Sequence, residues 1–117
     1  MTVGGHRSER LAEEIQHEVT LMITGELRDP RLAAVSAVTE VRLTPDGRTV
    51  RAYVEISGTD EERERALVGL KAAAGFVRHE LTERLHLRKS PEIIFVPDTS
   101  IEYGGRIDEL LKKIKDQ

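Results

Sequence analysis

Apolar residues recur at Leu11, Ile15, Val19 and Met22, spaced four, four and three apart. That spacing draws one stripe along an amphipathic helix. Glu13, Glu14 and His17 fall on the opposite face. Ser8 offers a side-chain cap at the start, with Glu9 a favourable acid in the first turn. Gly25 and Pro30 bracket the stop. The first six residues carry no such pattern, so 1–6 is expected to be disordered and 7–115 to form one domain.

The period then drops to about two, the signature of a half-buried strand. In "AVSAVTEVRL", Val35, Ala37, Thr39, Val41 and Leu43 alternate with Ser36, Val38, Glu40 and Arg42. "TPDG" follows as a turn, with Pro45 presetting φ and Gly47 accepting a left-handed conformation. In the returning strand Val50, Ala52, Val54 and Ile56 face one way, and Arg51, Tyr53 and Glu55 the other. Thr59 and Glu62 make a capping box. Beyond it, Ala66, Leu67, Leu70 and Ala74 form one helical stripe, and Val77, Leu81 and Leu85 a second. Gly75 separates the two stripes and is read as a bend between two helices. "EIIFV" is a short apolar strand between Pro91 and Pro97, and Ile107, Leu110, Leu111 and Ile114 mark a closing helix. The order is helix, strand, strand, helix, kink, helix, strand, helix. A three-stranded sheet with helices on one face would bury these stripes, which makes the chain α+β.

Composition narrows the function. At 117 residues the chain is one domain with a modest core. Aromatics are only 3%, so that core must be aliphatic. There are no cysteines, which removes disulfides and thiolate metal sites and fits a reducing compartment. "MTVGGHRSER" is no signal peptide. No apolar run approaches the roughly 20 residues that span a bilayer. A cytoplasmic location without membrane contact is expected. The net charge of −3 is low for a nucleic-acid binder. Its distribution is uneven, however. Residues 1–27 carry two Arg against five Glu, whereas residues 28–59 carry five Arg against four acids.

No catalytic constellation is present. The four histidines, His6, His17, His79 and His86, read as surface residues, and His79 and His86 lie seven apart, too far to share a metal unaided. There is no nucleophile elbow, phosphate-binding loop or dinucleotide fingerprint. "YGGR" reads as a turn before the last helix. The best candidate is basic: Arg78, Arg84, Arg88 and Lys89, within residues 76–91, against Glu80 and Glu83. Arginine gives bidentate contacts to phosphate. A helix starting at Gly75 would add free amide groups beside Arg78. Arg28, Arg31 and Arg51 form a second candidate set. The competing reading of the 76–91 run is an ordinary charged helix face.

Taken in order, "HRSERLAEEIQHEV", "LRDPRLAAVSAVTEVRLTPDGRTVRAYVEIS", "GLKAAAGFVRHELTERLHLRKSPEIIFVPDTS" and "GGRIDELL" resemble the ribosome-binding factor A family of bacterial small-subunit maturation factors. The resemblance runs from about Arg7 to Leu111, and "DPRL", the Ala-x-Gly at Ala73–Gly75 and "LRKSPEIIFVPDTS" are its most specific pieces. It implies a single KH-like domain of type II. Ordinary KH domains clamp nucleic acid with a Gly-x-x-Gly loop, and none occurs in this chain. The family instead has an Ala-x-Gly kink, which Ala73 and Gly75 match. The implied activity is binding to the immature small (30S) ribosomal subunit and its 16S ribosomal RNA, assisting RNA processing and late maturation, especially in the cold. It implies no enzyme, no cofactor and no small-molecule substrate. A monomer is the simplest expectation. The alternative is a small protein-interaction domain that does not touch RNA, favoured by the acidic first helix.

Overall fold

The computed structural model describes residues 3–98, with side chains from residue 9 onward. The expected closing helix and "YGGR" lie outside the described residues. Helix α1 spans Val3–Leu21. It starts ahead of Ser8, so Ser8 is not its cap. Ile15, Val19 and Met22 are fully buried, as their spacing requires. The helix runs into a π-helical turn, Met22–Glu26, closed by Leu27 N–H donating to the Met22 carbonyl over 2.8 Å. A 3-10 turn, Pro30–Ala34, follows, capped by the Asp29 side chain on the Arg31 N–H.

Strands β1 (Val35–Leu43) and β2 (Thr49–Ile56) pair antiparallel. Strand β3 (Glu92–Pro97) pairs parallel with β2, giving the order β1-β2-β3. The tip residue Gly47 has φ +71°, the left-handed geometry expected of the turn. In β2, Val50, Ala52, Val54 and Ile56 are all buried and Arg51 is exposed, so the pleat follows the sequence. β1 departs from it. Register shifts between Val35 and Ala37 and between Val38 and Glu40 bulge the strand. The buried residues are therefore Val35, Val38 and Val41, and Thr39 is exposed. A bulge displaces the side-chain alternation by one residue. The Val38 carbonyl at the second bulge accepts from Gln16 Nε2 of α1 over 3.0 Å.

Helix α2 runs unbroken from Asp60 to Arg84 behind the Thr59–Glu62 capping box. The two expected central helices are thus one hydrogen-bonded helix passing through Ala73 and Gly75. The alanines at 72–74 are the strongest helix formers, and they carry the ladder across a glycine that costs about 1 kcal/mol. Ala66, Gly69, Leu70, Ala73, Val77 and Leu81 line its buried side, and Leu67 is left outside it at 36% exposure. α1 and α2 cover the same face of the sheet, and their apolar residues close one aliphatic core with those of the strands. No polar side chain among the described residues is buried. The result is the KH-like α+β architecture, with chemistry left to the surface.

Two glycines of α2 differ in what surrounds them. A Cβ on Gly75 would meet nothing within 4 Å, and its φ is not positive. A Cβ on Gly69 would stand 3.0 Å from Arg31 Cβ and 3.2 Å from Leu32 Cδ2. The close approach of a second element is therefore at Gly69. Gly75→Ala is expected to stabilise the fold by up to about 1 kcal/mol. Gly69→Ala makes the same propensity gain but loses about 1–3 kcal/mol to overpacking, so it falls below wild type. Urea unfolding of both variants measures this. A Gly75→Ala protein less stable than wild type would restore the need for a bend.

Candidate nucleic-acid interface

The basic candidates fall into three situations. Arg84, in the last turn of α2, is enclosed by carboxylates. Its Nη1 lies 3.1 Å from Glu18 and 2.9 Å from Glu26, and its Nη2 lies 3.0 Å from Glu80. Those bonds, that of Glu26 foremost, hold its pKa above the usual arginine range. Three carboxylates around one guanidinium leave the cluster net negative, which repels phosphate. Arg84 instead ties the end of α2 to α1 and to the far end of the π-helical turn. Arg31 is engaged in a similar way. It holds Asp29 at 2.7 Å in a forked contact, and its stem is pressed on Gly69. The guanidinium keeps the Asp29 carboxyl below the usual carboxylate range.

Arg78 is a brace with donors to spare. Its Nε donates to Ser90 Oγ and its Nη2 to the Ser90 carbonyl, both over 2.9 Å. Thr82 Oγ1 donates to the same Ser90 Oγ over 3.0 Å. α2 is closed by Leu87 N–H on the Thr82 carbonyl over 3.1 Å, with His86 at φ +51°. That left-handed corner is usually glycine. The continuous helix has no free amide groups beside Arg78, so the expected anion site at a helix start is not formed.

Arg28, Arg51, Arg88 and Lys89 are exposed, and none makes an ion pair among the described residues. Arg88 and Lys89 sit in the loop braced by Arg78. Arg51 lies on the face of the sheet opposite α1 and α2, paired in register with Arg42 on β1 and Ile94 on β3. Arg28 and Arg31 precede β1, at the other end of the sheet from the hairpin tip. The candidates are therefore not one patch.

The acidic counterpart is an open groove between α1 and the end of α2, lined by Arg10, Glu13, Glu14, His17, Glu18 and Arg84, with Leu85 and His86. It brings His17 and His86 to one groove, yet no group of three or more His, Cys, Asp or Glu among the described residues could hold a metal ion. No described helix is long and apolar enough to cross a membrane.

A family profile described as ribosome-binding factor A matches residues 7–111. A relative so named from Caldanaerobacter subterraneus subsp. tengcongensis is 46% identical over 112 residues, spanning 96% of this chain and 92% of its own. The crystal structure of ribosome-binding factor A from Thermus thermophilus matches with a TM-score of 0.67 at 30% identity, over 77% of this chain and 94% of that one. A homology model of the Thermus thermophilus factor, as fitted into the cryo-EM map of its complex with 30S, matches with a TM-score of 0.60 at 28% identity, over 75% and 91% of the two chains.

Arg84→Gln leaves three carboxylates without their common cation. A lower melting temperature is expected. Unchanged melting would remove the structural role and return Arg84 to the candidate contacts.

Proposed function

The chain belongs to the ribosome-binding factor A family, and we propose that it binds the small ribosomal subunit, contacts 16S ribosomal RNA and assists RNA processing and late maturation, with greatest demand in the cold. The role is that of a cytoplasmic, monomeric binding factor without catalysis or a cofactor. The observation that carries the reading is the match of this fold to a factor fitted in a 30S complex. The exposed cations of the 85–91 loop support it. Arg88 and Lys89 face solvent on a braced loop with no acid of their own to neutralise them. Ribosomal RNA is a polyanion, and lysine and arginine on its phosphates release counterions.

The acidic groove of α1 favours a second reading, a domain that docks on protein alone. Salt separates the two, because phosphate contacts make affinity fall steeply with ionic strength. Reversing both loop charges, Arg88→Glu with Lys89→Glu, should weaken co-sedimentation with purified small subunits on the order of tenfold or more at low salt. Wild-type co-sedimentation by that variant removes the loop from the contact.

A further inference from the structure

The parallel pairing of β2 with β3 sets two basic segments side by side. Thr49, at the start of β2, is in register with Glu92, at the start of β3. The Glu92 N–H also donates to the Arg48 carbonyl over 2.7 Å. The tip of the β1–β2 hairpin therefore abuts the loop that carries Arg88 and Lys89, a few residues before Glu92. Segments 44–51 and 85–91 together hold Arg48, Arg51, Arg88 and Lys89 against one acid, Asp46. All four cations are exposed.

The acids nearby are turned elsewhere. Asp46 accepts from Thr44 Oγ1 over 2.7 Å and from the Arg48 N–H over 3.0 Å. Glu92 lines a groove with Lys71 of α2. Arg42, opposite Arg51, is paired with Glu40 at 2.9 Å. Both segments are also held in place. The tip is closed by Thr44 N–H on the Thr49 carbonyl over 3.0 Å and Gly47 N–H on the Thr44 carbonyl over 2.8 Å. The loop is fixed by Arg78 on Ser90 and by Pro91, which is fully buried. Cations on fixed backbone lose less freedom on binding than cations on a mobile tail.

Among the described residues no Phe or Tyr ring stands free at this end, and His86 lines the acidic groove of α1. The Tyr53 ring lies under the Arg42 guanidinium, 5.6 Å from its centroid. Phe95 is half-buried against the core, and Phe76 stands on α2. A surface of cations without aromatic platforms suits the phosphate backbone of folded RNA better than the bases of a single strand.

We infer that Arg48 and Arg51 of the hairpin join Arg88 and Lys89 of the loop in one site for the sugar-phosphate backbone of folded ribosomal RNA, read by charge and shape. The inference rests on the subunit-binding function proposed above. Arg48 is the new member and the decisive one. The test is equilibrium binding of the full chain to purified small subunits across a salt series. Each phosphate contact contributes about 0.7 to 0.9 to the slope of log affinity on log salt. Arg48→Gln should flatten the slope by about one contact, and Arg88→Gln with Lys89→Gln by about two. Lys71→Gln, on the groove side of α2, should keep the wild-type slope. An unrelated RNA duplex should compete at least as well as oligouridylate. A wild-type slope in Arg48→Gln, or clear preference for oligouridylate, overturns the joint site and leaves subunit binding standing. Salt-independent binding by the wild-type chain overturns the RNA reading itself.

Discussion

Two helices share one face of the sheet, α1 against β1 and α2 against β3. α2 is 25 residues long, and its inward positions bring Leu70, Val77 and Leu81, all fully buried, onto the face formed by Val50 and Val54. Fully burying each aliphatic side chain of this size is worth about 1.5–3 kcal/mol, so a handful of positions holds the two layers together. The layers can close only if the turn before β1 reaches the helix, and Gly69 is where Arg31 and Leu32 come within contact of its backbone. That approach sets where β1 begins. β1 in turn sets β2, and β2 places the start of β3 and the loop ahead of it.

Among the described residues no polar side chain is buried in the core, so the placement of charge on the outside carries the chemistry. The arginines divide the work. Arg84 closes the molecule by gathering Glu18, Glu26 and Glu80. Arg31 and Arg78 fasten a turn and a loop. Arg42 is paired with Glu40, and Arg48, Arg51, Arg88 and Lys89 stand exposed at the hairpin-tip end.

Local signals are plainly written in the chain. The α1 stripe, the β2 alternation, the "TPDG" turn and the capping box each depend on neighbours within a few residues, and each takes the form its spacing requires. Thr39 of β1 departs from its alternation because a bulge shifts it, and the second bulge is fixed by Gln16, which lies 22 residues from Val38. Gly75 suggests a joint because propensity marks it, while Gly69 carries a contact that propensity does not report. Arg84 looks available in sequence because its carboxylates Glu18 and Glu26 stand 66 and 58 residues away. The Asp29–Arg31 pair, only two residues apart, is open to detection. Arg48 reads in sequence as a turn residue and no more. Nothing short of the parallel β2–β3 pairing places it beside Arg88 and Lys89.

The separation of charge along the molecule bears on how an encounter begins. A uniformly basic protein is pulled toward any polyanion from any direction and stays wherever it lands. Here the total is −3, while α1 and the hairpin-tip end carry opposite signs. Such a body behaves as a dipole in the field of RNA. It turns before it touches, presenting one end and holding the other away. In the function proposed above, residence would be kept for surfaces that match that end in shape as well as charge. A weakly acidic total would then work as a filter on arrival, sparing a small factor from being lost on the bulk of cellular RNA.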